Sequence, residues 1–254
     1  MSLRMRIGGV SYCVGAPLVT GLEQRQNVEL TLASPRHLVT MLRAGELDAA
    51  LASSIEAFRH PGWLAMSDLG IACEDRVRSV RLFLRTEPAA VRSLAVDNGS
   101  ATSVALSQVL LVRRFGATID HAFDIEPTRT PDAIDADAVL LIGDAGLLAD
   151  AGGRAALDLG EEWRSWTGLP FVFALWLVAG GDKAIKDGTV RNIVGELRRA
   201  RALGIEQAVD DGTGGLIRYD LDDRHLAGLR RFRSEALALG LCNPVAEPVW
   251  MERG

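Results

Sequence analysis

A chain of 254 residues with 48% apolar side chains can form one large α/β domain or two small ones and bury a core without staples. Its formal net charge of −5 argues against a nucleic-acid binder, which needs a basic footprint, so an anionic ligand has to be held by local features. Cys13, Cys73 and Cys242 are widely spaced and the four histidines are scattered, a pattern that indicates no metal site and no disulfide framework and reads as reduced, cytosolic thiols.

In chain order, Arg6–Val10 predicts a first strand. The segment is too glycine-rich, and too soon interrupted by Ser11 and Tyr12, for a signal peptide. Val28–Ala33 reads as a second strand. Ser34 then caps a helix with Pro35 at its first position; Leu38, Met41 and Leu42 mark its apolar side and Gly45 its end. Leu47–Ala52 is the next strand, with Ser53 and Ser54 at its carboxyl end. Val77–Leu84 and Leu94–Val96 are further strands, Ser100–Phe115 is a helix closed by Gly116, and Ala138–Ile142 is a buried strand ending at Gly143-Asp144.

From Asp158 a polar, helix-like segment carries Trp163 and Trp166 into Thr167-Gly168-Leu169-Pro170. The apolar run Phe171–Ala179 follows. It is too short for a bilayer span and suits a strand buried on both faces, so this passage predicts a connection between two lobes near a cleft. In the tail, Val190, Ile193, Val194 and Leu197 fall at helical spacing, with Gly204 as the expected C-cap. Leu226, Leu229 and Phe232 mark a last helix ending near Gly240.

Strands alternating with helices predict a sheet with parallel strands covered on its faces, with ligands beyond the carboxyl ends of the strands. Four polar loops lie at those ends: Ser11-Tyr12, Ser53-Ser54, Asn98–Ser103 and Gly143-Asp144. Their convergence on one cleft is the central structural expectation. The segment Asn98-Gly99-Ser100-Ala101-Thr102-Ser103 opens a helix. Its free backbone N–H groups, with the Thr102 and Ser103 hydroxyls, suit a carboxylate or phosphate, and ordinary capping by Ser100 or Asn98 explains the same residues. Ser53 and Ser54 read either as hydroxyl donors to an anion or as a structural turn. Asp144 reads either as a ligand contact or as a cap. The lysine and glycine spacing of a phosphate-binding loop and the Gly-x-Ser-x-Gly pattern of a serine hydrolase are absent.

Several ordered passages together resemble the chorismate dehydratase family of the futalosine route to menaquinone. They are Val10-Ser11-Tyr12, the run from Gly45 to Glu56, Asp68–Cys73, Ser79-Val80, Thr102–Leu106, Leu140–Asp144 and Asp158–Trp176. The resemblance spans roughly residues 6 to 180. It implies an α/β fold like that of type II periplasmic binding proteins: one lobe from 1–86 plus 179–254, a second from 87–178, and a ligand cleft between them. It further implies a cytoplasmic lyase with a small-molecule substrate and no cofactor, metal, membrane or nucleic-acid partner. The reaction removes water from chorismate to give 3-[(1-carboxyvinyl)oxy]benzoate.

Carried over residue by residue, the resemblance assigns carboxylate binding to Ser53, Ser54, Thr102 and Ser103, a place in the substrate site to Ser100, the opposite wall to Gly143 and Asp144, and the reactive contacts to Tyr12, Val14 and Leu84. The family has Asn at the position of Val14 and Ser at the position aligned with Leu84, and neither replacement can hydrogen-bond. A competing reading is therefore a non-catalytic binding protein for a small cyclic carboxylate. A later enzyme of the same pathway is a third. The oligomeric state and the catalytic base are left open.

Overall fold

The computed structural model describes residues 4–179, 188–207 and 209–251. Its strands form two sheets. The first contains β1 (Met5–Val10), β2 (Val28–Ala33), β3 (Ala49–Ser53), β4 (Leu64–Cys73), β10 (Phe171–Val178), β11 (Ile217–Asp220) and β12 (Val249–Met251), in the order β11-β4-β10-β3-β1-β2 with β12 beside β4. The second contains β5 (Val80–Leu84), β6 (Ser93–Asp97), β7 (His121–Ile125), β8 (Ala138–Ile142) and β9 (Ala155–Asp158), in the order β7-β6-β8-β5-β9. Seven α-helices accompany them among the described residues: α1 (Ala16–Val19), α2 (Pro35–Arg43), α3 (Ala101–Val109), α4 (Gly143–Leu148), α5 (Leu159–Thr167), α6 (Thr189–Glu206) and α7 (Asp223–Ala238).

The predicted parallel pairing holds for β1 with β2 and β3, and for β6 with β7 and β8. The apolar run after Pro170 forms β10, which lies antiparallel between β3 and β4. Nearly every residue of β3 and β10 is buried, which explains why neither strand alternates in sequence.

The lobe limits at 86/87 and 178/179 need correction. Val80–Leu84 pairs antiparallel with β8 and β9, so it belongs to the second sheet, and Phe171–Val178 belongs to the first. The chain thus crosses between Cys73 and Val80 and returns between Asp158 and Phe171. One buried carboxylate joins both crossings. Asp158 accepts from the backbone N–H groups of Val77 (3.1 Å) and Arg78 (2.6 Å) on the outward path, and from Gly160 (3.0 Å) and Glu161 (3.2 Å) on the return. Trp163 packs edge-on against Phe171 and Phe232 and donates from Nε1 to the Pro170 carbonyl at 3.2 Å, fixing α5, β10 and α7 together.

Local rules account for most helix ends. Ser34 caps α2 through the His37 N–H, Asp158 caps α5, and Asp222 with His225 forms a reciprocal cap on α7. Gly204 is an exception to the expectation. The helix α6 continues to Glu206, and a side chain at Gly204 would meet the Pro17 carbonyl oxygen at 2.4 Å, so the glycine permits a close approach to α1 and does not end the helix.

Candidate functional site: a cleft between two sheets

The ends of β1, β3, β6 and β8 meet where the two sheets face each other. The Tyr12 hydroxyl lies 3.5 Å from where a Cβ on Gly99 would sit, and the Ile142 side chain lies 3.0 Å from that same point. A side chain at Gly99 would crowd the ends of these two side chains. Asp97, at the end of β6, joins them: its carboxylate accepts from the Gly99 N–H at 3.1 Å and from the Ile142 N–H at 3.4 Å. Asp97 is buried, and that burial raises its pKa despite the two N–H donors. The partial burial of Tyr12 and the neighbouring Asp97 charge raise the phenol's pKa as well.

Ser54 and Thr102 do meet, as expected of loops that converge, but they are sealed from solvent. Ser54 donates to the Val172 carbonyl at 2.7 Å and shares a 3.3 Å hydrogen bond with Thr102, whose hydroxyl oxygen also accepts from the Ile55 N–H at 3.2 Å. These hydroxyls pin the start of α3 to the first sheet. Ser100 caps α3 by accepting from the Ser103 N–H, and the buried Ser103 hydroxyl donates back to Ser100 at 3.0 Å. Capping and anion binding are compatible here, because the first N–H groups of a helix have no intrahelical acceptor.

Ser53 and Ala101 reach the interlobe cavity. Gly143, with φ of +59°, has open space around its Cα, and Asp144 is exposed in the first turn of α4. Val14 is half-buried and packs against the core from a short 3-10 turn. Leu84 is placed away from the cleft. In β5 it pairs with Ala138, four residues back from the cleft end of β8, where Val80 pairs with Ile142. That separation is about 13 Å along the strand. Leu84 is a core residue, and its expected reactive contact is withdrawn.

A cavity of about 570 Å3 opens on the flank between α2 and the start of α3. Leu38 and Leu42 bury one face of α2 in the core, which leaves Arg36 and Arg43 on the cavity side. Glu56, Arg59 and His60 line the same space. The buried Glu56 carboxylate accepts from Arg59 at 2.8 Å and sits 3.0 Å from His60 Nε2. Arg36 lies 3.9 Å from Asp124, which also receives the Asn98 amide, so the contact runs from one lobe to the other.

The sequence reading named Gly99 within the Asn98–Ser103 loop and missed Asp97 and this basic wall. A charged residue closing the apolar Leu94–Val96 strand was the signal for Asp97. The seven-residue spacing of Arg36 and Arg43, opposite Leu38 and Leu42, was the signal for the arginines.

Comparisons with known proteins agree with this architecture. The menaquinone biosynthesis family profile matches residues 5–210. The chorismate dehydratase of Thermus thermophilus is 30% identical over 236 residues, spanning 82% of this chain and 86% of its own length. The chorismate dehydratase of Campylobacter jejuni is 34% identical over 166 residues, 64% of this chain and 58% of its own. In fold, the periplasmic aliphatic sulphonate binding protein SsuA of Escherichia coli superposes with a TM-score of 0.63 at 15% identity, covering 99% of this chain and 94% of that one. The architecture is thus the two-lobed periplasmic-binding-protein fold, and the chain belongs to the chorismate dehydratase family of menaquinone biosynthesis.

Proposed function

We propose that this chain dehydrates chorismate to 3-[(1-carboxyvinyl)oxy]benzoate in menaquinone biosynthesis, and that it does so in the cleft between the two sheets. The observation that carries this reading is the meeting of Tyr12, Asp97, Gly99 and Ile142 at one point, beside the N-terminus of α3. The reaction breaks the C3–H bond and the C4–O bond of the ring. The C–H electron pair becomes the new ring double bond, and the departing hydroxide takes a proton to leave as water.

Aromatisation supplies the driving force, so the protein's task is to hold the substrate, exclude bulk water and move a proton. The N–H groups of α3 suit a ring carboxylate. Asp97, whose burial raises its pKa, is placed to exchange a proton with the ligand, and the Tyr12 hydroxyl beside it can hydrogen-bond the departing oxygen. We place the reaction in the cytoplasm, in keeping with three unpaired cysteines. No helix among the described residues is long and apolar enough to cross a membrane.

Incubating the purified protein with chorismate and separating the products by chromatography tests the proposal. The aromatic enolpyruvyl ether accumulates catalytically if the reading is right. If chorismate is bound but decays only at its uncatalysed rate, the chain is a carboxylate-binding protein.

A further inference from the structure

We propose that the cavity between α2 and α3 is an anion subsite, in which Arg36 and Arg43 grip the second carboxylate of a dicarboxylate substrate. The inference rests on the chorismate reading and assigns the half of the ligand that the α3 N-terminus leaves unheld.

The charges around the cavity are unequal. Glu56 is already engaged by Arg59 at 2.8 Å and by His60 at 3.0 Å, so those three groups form a fixed, satisfied wall. His60 is further held by stacking on Trp63, with ring centroids 4.1 Å apart. Asp124 takes the Asn98 amide and meets Arg36 only at a long 3.9 Å, with both charged side chains well exposed, an ion pair worth little in water. Arg43 makes no ion pair with a carboxylate among the described residues. Two guanidinium groups are thus available on one helix face, two turns apart.

The cavity volume, about 570 Å3, is in the range of small-molecule sites. Asn98 and Ala101 also line it, which places it against the first turn of α3. A ligand with one carboxylate at that helix start can extend a second into the cavity. Arginine is suited to that end because its planar fork meets a carboxylate with two parallel hydrogen bonds.

The test compares two aromatic acids by titration calorimetry with the full chain: 3-(carboxymethoxy)benzoate, which carries two carboxylates, and 3-methoxybenzoate, which carries one. The native protein should prefer the diacid by about tenfold or more. The Arg36→Gln, Arg43→Gln double variant should lose that preference and keep its affinity for the monoacid within about twofold. Both side chains are exposed, so folding is not at stake. Equal binding of the two acids by the native protein, or a preference that survives in the double variant, overturns the subsite. If either occurs while chorismate is still turned over, the reaction stands and only the subsite falls. A protein that binds neither acid overturns the subsite as well, and chorismate turnover alone decides the reaction.

Discussion

Ser54 and Thr102 share a 3.3 Å hydrogen bond between the first sheet and the start of α3, and neither side chain is exposed. Ser54 spends its only proton on the Val172 carbonyl, so Thr102 is the donor in the pair and the acceptor for the Ile55 N–H. Hydroxyls that from sequence alone were candidates for holding a substrate instead hold the lobes in register. Thr102→Val leaves the Ile55 N–H without its partner, and Ser54→Ala leaves the Val172 carbonyl without its partner. Each should cost about 1–3 kcal/mol, and the double variant less than the sum. Denaturant midpoints for the four proteins of the cycle measure this; a strictly additive double variant would mean that the two residues act independently.

Asp97 makes stability depend on pH in a stated direction. Its folded-state pKa stands above the unfolded value because burial disfavours the charge. Between the two values the native state binds more protons than the unfolded chain, so stability falls as pH rises from the ordinary carboxylate value through the raised one. Asp97→Asn lacks that fall. Denaturation midpoints from about pH 4 to about pH 7 should therefore decline more steeply for the native protein than for the variant. Parallel curves would show that Asp97 titrates normally.

The placement of Leu84 separates two substitutions, at Leu84 and at Val14, that the sequence alone puts in one class. Its side chain is buried at the far end of β5 from the cleft, so Leu84→Ser puts an unpaired hydroxyl in a cavity of the core. A loss of about 3–5 kcal/mol should follow, with turnover per folded molecule unchanged. Val14 differs, because it lies two residues past Tyr12 on the β1 loop, and Val14→Asn should raise turnover. Thermal melts combined with single-turnover assays separate the two effects. A faster Leu84→Ser enzyme would contradict this placement.

Much of the fold was legible because its signals are local. The proline after Ser34, the alternation of strands with helices and the unbroken apolar run after Pro170 each follow from chain geometry at short range. The lobe limits were not. Whether Val80–Leu84 or Phe171–Val178 joins one sheet or the other depends on partners more than fifty residues away, and both strands are apolar enough for either. At the site, the approach of the Tyr12, Ser54 and Asn98–Ser103 loops to one another was readable from the rule that ligands gather beyond strand ends. The roles within those loops were not, because a serine that caps, one that bridges lobes and one that binds a ligand are the same residue in sequence. Asp97 required knowledge of burial, and the basic wall required knowledge of which α2 face meets the second lobe.

The three thiols should separate cleanly by reactivity. Cys13 is exposed on the loop that carries Tyr12. Cys73 is buried, and burial together with the Asp158 charge pushes its thiol far above the usual range, which leaves it without a usable thiolate. The half-buried Cys242 is raised by burial as well. A chromogenic disulfide added to the native protein should release one fast equivalent, from Cys13, and chorismate should slow it if the ligand seats against Tyr12. Fast labelling of Cys73 would contradict the burial.

The most direct measurement follows chorismate turnover in the native protein and in Gly99→Leu. A side chain at Gly99 would fill the point where Tyr12, Asp97 and Ile142 come within 3.5 Å, while leaving the core of each lobe intact. The account predicts catalytic formation of 3-[(1-carboxyvinyl)oxy]benzoate by the native protein and a loss of about a hundredfold or more in a folded Gly99→Leu variant. Undiminished turnover in that variant would contradict the location of the chemistry, and saturable binding of chorismate without product in the native protein would contradict the chemistry itself.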